Sequence, residues 1–239
     1  MVWILQFILY AILGFILSSS IHELGHIITG ITQGFNFYLF IAGPFGFKRN
    51  DKDKIVFYIE KNISLWGGLG ATIPQNDDVN NFKKFGRVLL GGPITSIVVG
   101  IICLPIAIIT KGLFLMLLGV MAISMGIACL IPARNGAFHT DGGRWLRMHK
   151  SESTRNVELA IWNLTQSAII NGNHKKLNYD EIKLLINDAD TRTQYLGHFY
   201  AYHLYKDNND LESCEKEKAE LENLKTKVPK QVVSMFKID

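Results

Sequence analysis

The sequence predicts a mainly α-helical protein: three membrane-crossing helices, a β-hairpin in the first connecting loop, and a soluble helical domain behind them. Three observations carry that expectation. Apolar runs long enough to cross a bilayer lie at about residues 2–31, 87–109 and 113–131. The segment between the first two is rich in aromatic and β-branched residues around one strongly polar turn. Beyond Lys150 the composition turns polar, and apolar residues recur at helical spacing. Residues 1–150 therefore read as a membrane domain and residues 151–239 as a cytosolic one.

The first run carries only Gln6 and the Tyr10 hydroxyl as polar groups between Val2 and Leu17. It lacks the basic flank and small-residue cleavage site of a signal peptide, so it reads as a span. In its second half Ser18, His22 and His26 follow at intervals of four, with Ser19, Glu23, Thr29 and Gln33 beside them. A polar stripe down a greasy helix must face protein or trapped water, because lipid cannot satisfy it.

The first loop holds Phe35 to Phe47 and Ile55 to Ile59, separated by the polar run from Lys48 to Lys54. This predicts a β-hairpin lying on the membrane face. Its edge could pair with an extended substrate segment, or the hairpin could serve as a lid over a site. Gly67-Gly68-Leu69-Gly70 reads as too glycine-rich for a strand core, and it lacks the context of a phosphate loop.

The second span contains Pro93 and Pro105, which kink or loosen a helix and are tolerated where helices pack on each other. Gly91, Gly92 and Gly100 permit close helix approach. Thr110-Lys111-Gly112 is the tight connection to the third span. In the tail, helices are expected near residues 157–170, 179–187, 192–205 and 211–224, with breaks at Asn171-Gly172-Asn173 and Asp207-Asn208-Asn209. Paired helices of this kind resemble a tetratricopeptide-like array, without a clear repeat.

Charge orients the spans. Residues 1–150 hold 13 Lys and Arg against 7 Asp and Glu, and residues 151–239 hold 12 against 14. The basic residues crowd the first loop and the segment after the third span, while the second connection has only Lys111. The positive-inside rule then places the N-terminus outside and the C-terminal domain in the cytosol of a multi-pass cell-membrane protein. The same distribution argues against a nucleic-acid surface. Cys103, Cys129 and Cys214 form no C-x-x-C pair and suggest no disulfide framework.

The stripe contains His22-Glu23-Leu24-Gly25-His26. An H-E-x-x-H on a helix puts two imidazoles on one face, where both can ligate zinc, and places a glutamate beside them as a general base. A catalytic zinc takes a third protein ligand. Asp141, in Thr140-Asp141-Gly142-Gly143-Arg144 after the third span, is the best candidate: an oxygen donor beside glycines that allow a tight turn. His139 is a rival, since imidazole is a good zinc ligand.

Three pieces now coincide: His-Glu-Leu-Gly-His in the first span, Gly91-Gly92-Pro93 in the second, and Ile131-Pro132 leading to Asp141-Gly142 after the third. In order and separation they resemble the membrane-embedded zinc metalloproteases of the site-two protease family, over about residues 1–148. The resemblance implies one zinc on His22, His26 and Asp141, favours Asp141 over His139, and implies Glu23 as catalytic acid/base. It implies hydrolysis of a peptide bond in or near a membrane-spanning protein or peptide substrate. Two departures stand out. Thr95 and Ser96 replace an asparagine often found after the family's Gly-Pro, and Ala128-Cys129-Leu130 lacks another before the aspartate segment. Ser96 or Asn135 are the substitutes at hand. Arg144 reads as an anchor at the cytosolic face, or as a contact for a substrate backbone. The competing function is an inactive homologue that binds a membrane peptide or serves as a scaffold. In either case the helical tail offers a docking site for a regulatory protein.

Overall fold

The computed structural model describes residues 2–50, 52–136, 138–236 and 238, with only the backbone for Ser64 and Asn135. The chain forms two compact units, Met1–Pro132 and Ala133–Asp239. The division falls ahead of the composition shift at Lys150, so the Asp141 segment belongs with the helical tail.

In the first unit, α1 (Val2–Thr32), α2 (Asn81–Thr110) and α3 (Leu113–Leu130) are each long and apolar enough to cross a membrane. Their contacts are made by small residues. The buried positions of α1 are Gly14, Ser18, Ser19, His22, Gly25, His26, Ile27 and Gly30, while Leu24, Ile28 and Ile31 stay exposed. The polar stripe is therefore the helix's packing face. A methyl group on Gly25 would lie 2.6 Å from the Gly91 carbonyl oxygen, and one on Gly126 2.7 Å from that of Pro93. Close backbone approach at glycine is how helices associate where lipid offers no hydrophobic drive. Both prolines sit inside α2, which continues through them. Lys111 closes α2 in the left-handed conformation, φ 52°, and Gly112 N–H bonds the Ala107 carbonyl.

The first loop holds more than a hairpin. Strands β1 (Phe35–Ala42), β2 (Phe45–Arg49), β3 (Ile55–Ile59) and β4 (Leu69–Pro74) form an antiparallel sheet in the order β3-β2-β1-β4. Phe35 to Phe47 is itself a hairpin turning at Gly43-Pro44, and the polar run makes the second turn. The glycine-rich segment leads into β4, which pairs with β1 and packs on α1. Phe45, Phe47, Ile55, Phe57 and Ile59 share one exposed face through the pairs Phe45–Ile59 and Phe47–Phe57.

The second unit opens with a two-residue ladder, β5 (Arg134–Asn135) and β6 (Phe138–His139), followed by α4 (Asp141–Met148). Then come α5 (Glu152–Asn171), α6 (Tyr179–Ile186), α7 (Thr191–Asp207), α8 (Leu211–Lys225) and α9 (Lys230–Met235). Side-chain caps set the starts: Ser151, Asn178, Asp190 and Asp210 each accept an N–H from the first turn, a contribution of about 1 kcal/mol apiece. Gly172 ends α5 with φ 64°. Helices α5 to α8 pack on their neighbours in sequence, as helical hairpins do. Leu164, Ile182, Leu185 and Leu196 fill one core, and Tyr195, Tyr202, Leu221 and Val232 fill a second. The tail's tyrosines are thus packing residues in large part.

Candidate metal centre

His22 and His26 lie one turn apart on the buried face of α1, 4% and 8% exposed. Their Nε2 atoms converge to 3.2 Å. The other ring nitrogens are occupied by α2: Nδ1 of His26 is 2.7 Å from the Val88 carbonyl, and Nδ1 of His22 is 3.1 Å from Ser96 Oγ. A carbonyl only accepts, so the 2.7 Å contact calls for the tautomer with hydrogen on Nδ1 and a lone pair on Nε2, the longer 3.4 Å approach of the Gly92 N–H to Nδ1 being the weaker of the two. That is how a metal-ligating imidazole is oriented by a partner behind it. Two nitrogens at 2.0–2.1 Å from a tetrahedral zinc would lie about 3.3 Å apart. The observed separation of 3.2 Å fits this.

Ser96, one of the two substitutes the sequence offers for a missing asparagine, is fully buried and hydrogen-bonds His22. Its neighbour Thr95 instead packs against Gly25. The side chain of Asn135 lies outside those described. Replacing Ser96 with alanine is expected to weaken affinity for a metal ion held by these imidazoles by about 10- to 100-fold, as loss of an outer partner does. Competition with a chromophoric chelator would measure it, and an unchanged constant would mean that Ser96 does not orient the ligand.

Glu23 lies on the same turn as His22, half-buried, with its carboxylate against β4. A methyl group on Gly68 would sit 2.9 Å from Oε1, and one on Gly70 2.9 Å from Oε2. Gly68 also has φ +109°, where a side chain is strained. Ser19 Oγ donates to the Gly67 carbonyl at 2.6 Å, fastening this strand entry to α1. The glycine run that argues locally against a strand is what lets a strand pass beside the glutamate.

In the second unit Asp141 is the first residue of α4 and is partly exposed. Thr140 caps that helix, accepting the Gly143 N–H at 3.3 Å, and its own N–H bonds the Ala133 carbonyl at 2.9 Å. The Gly142-Gly143 pair serves a helical first turn rather than a bend. His139, the rival ligand, is held in β6 opposite Arg134. Burial, with Arg134 and Arg147 nearby, pushes its pKa down to about 4.

No family model, curated protein or solved structure matches the chain.

Proposed function

We propose that the protein is a membrane-embedded zinc metalloprotease, hydrolysing a peptide bond in or beside a membrane-spanning substrate segment. The observation that carries this is the convergence of two buried imidazole Nε2 atoms, each ring held from behind, on a helix of membrane length. An ionisable cluster in such a helix is costly and is kept for function. We take His22, His26 and Asp141 as the donor set of this site. Two nitrogens and a carboxylate, without thiolate, suit a catalytic zinc with a position left open. Zinc bound there would polarise a carbonyl and acidify a water molecule.

The chain's own residues supply the rest. Val88 and Ser96 fix the two imidazoles, so the ligands need no reorganisation. Glu23 takes a proton from the attacking water and delivers it to the leaving amine. The β4 edge beside Glu23 takes an extended substrate segment by main-chain pairing. A helical substrate must unwind to do this, because its carbonyls are otherwise occupied. The exposed apolar face of β2 and β3 lies toward lipid, with the basic turn at the cytosolic surface.

The test is metal content of the detergent-purified protein by mass spectrometry, beside His22→Ala and Asp141→Ala. About one zinc per chain is expected, lost or sharply reduced in both variants. Zinc retained in Asp141→Ala and lost in His139→Ala would move the third ligand. A wild-type protein without affinity for zinc would overturn the reading.

A further inference from the structure

Asp141 sits on a short helix with little apolar hold on its own domain. At 1.5 Å per residue, the eight residues of α4 span about 12 Å. Of its apolar side chains Met148 is buried, Trp145 is half-buried with its ring against His149 at the end of the same helix, and Leu146 is 43% exposed. What fixes α4 is charge. Glu158 on α5 is 2% exposed, and its two carboxylate oxygens are divided between two arginines of α4. Arg147 Nε reaches Oε1 at 2.7 Å, and Arg144 Nε reaches Oε2 at 3.3 Å. Arg144 also lies over the Phe138 ring, 5.8 Å from its centroid, bracing the turn ahead of Asp141 from the other side. A second clamp holds the ladder before it: Arg134 pairs with Asp190 at 2.6 Å and donates to Thr193 at 3.1 Å.

We propose that Glu158 is a positioning residue: through Arg144 and Arg147 it sets the direction of α4, and hence of the Asp141 carboxylate. A buried carboxylate flanked by Val157 and Ile161 of the apolar core is a poor choice for stability alone, since a hydrophobic replacement of similar size is often as stable. Two guanidiniums on separate oxygens constrain both the rotation and the tilt of a two-turn helix, a directional hold that non-directional apolar contact through Met148 and half-buried Trp145 lacks. The helical domain thereby becomes a scaffold for a metal ligand. This rests on the zinc reading above.

The experiment uses full-length protein in detergent and compares wild type, Glu158→Gln and Glu158→Asp. It reads zinc affinity by chelator competition and amide hydrogen exchange along the second unit. Glu158→Gln is expected to weaken zinc binding by about 10- to 100-fold. The α4 amides should exchange faster, those of α7 and α8 should not change, and Glu158→Asp should recover most of the affinity. Unchanged affinity and unchanged α4 exchange would overturn the proposal. So would loss of protection in α7 and α8 together with α4, because Glu158 would then merely hold the domain together. Should Glu158→Gln not fold, Arg147→Gln makes the same comparison, leaving Glu158 with Arg144. If wild type binds no zinc, the metal reading fails by itself. The α4 exchange then decides alone: faster local exchange keeps the positioning role, and unchanged exchange removes it.

Discussion

For the metalloprotease proposed above, replacing Glu23 with glutamine is expected to lower peptide cleavage by about 10²- to 10⁴-fold while zinc content stays at the wild-type level. The substitution is nearly isosteric, and that matters here. Glu23 is pressed against Gly68 and Gly70, so a larger or shorter side chain would disturb the entry to β4 as well as the chemistry. Glutamine keeps the size of the side chain and gives up the negative charge and the ability to take up a proton, one acceptor oxygen becoming an N–H donor. His22 and His26 have their Nδ1 atoms on Ser96 and Val88 of α2, contacts that an isosteric change at Glu23 leaves in place. The measurement is cleavage of a membrane-spanning reporter in vesicles, paired with metal analysis of the same preparation. Equal cleavage by variant and wild type would sink the role of Glu23. Binding of a membrane peptide by both, with cleavage by neither, would favour the scaffold reading instead.

How much of this was legible in the sequence depends on whether the cause was local. The three spans and the stripe of Ser18, His22 and His26 are periodic, and α1 buries those very residues. The four tail helices from α5 to α8 are periodic and capped, and they lie within a few residues of where the pattern puts them. Strand β4 was not legible, because its glycines answer to a contact with Glu23 from a distant helix. Helix α4 was hidden behind Asp-Gly-Gly, a poor helical start by propensity. It forms because Thr140 caps it and Glu158 clamps it; the cap stands next to the helix in the sequence, but the clamp comes from α5 and leaves no local signal. Ser96 could be picked out only as a departure from the family pattern, and its hydrogen bond to His22 depends on the packing of α1 on α2. The Val88 carbonyl leaves no trace in any side chain.

Gly92 offers the sharpest test of that packing. Gly92→Ala is expected to weaken zinc binding by roughly 5- to 150-fold, the equivalent of about 1–3 kcal/mol of overpacking displaced onto a ligand. The added methyl group would overlap the His26 imidazole, meeting Nε2 and lying 2.7 Å from both Cδ2 and Cε1. The ring cannot simply swing aside, because Nδ1 is held by the Val88 carbonyl on the same helix that carries the intruding methyl. Nor can α2 easily withdraw. Gly91 is already in contact with Thr29 and lies 2.7 Å, measured from its added methyl, from the Gly25 carbonyl. The strain therefore falls on His26 Nε2, the atom that would bind the metal. Gly100→Ala is the matched control. Its methyl would meet Ile123 and the Gly119 carbonyl, between α2 and α3 and away from the histidines. Both variants should lower thermal stability, but only Gly92→Ala should lower zinc affinity by titration. Equal loss of affinity in the two would mean that zinc binding follows the general integrity of the helix bundle. Loss confined to Gly92→Ala would tie it to the position of one imidazole.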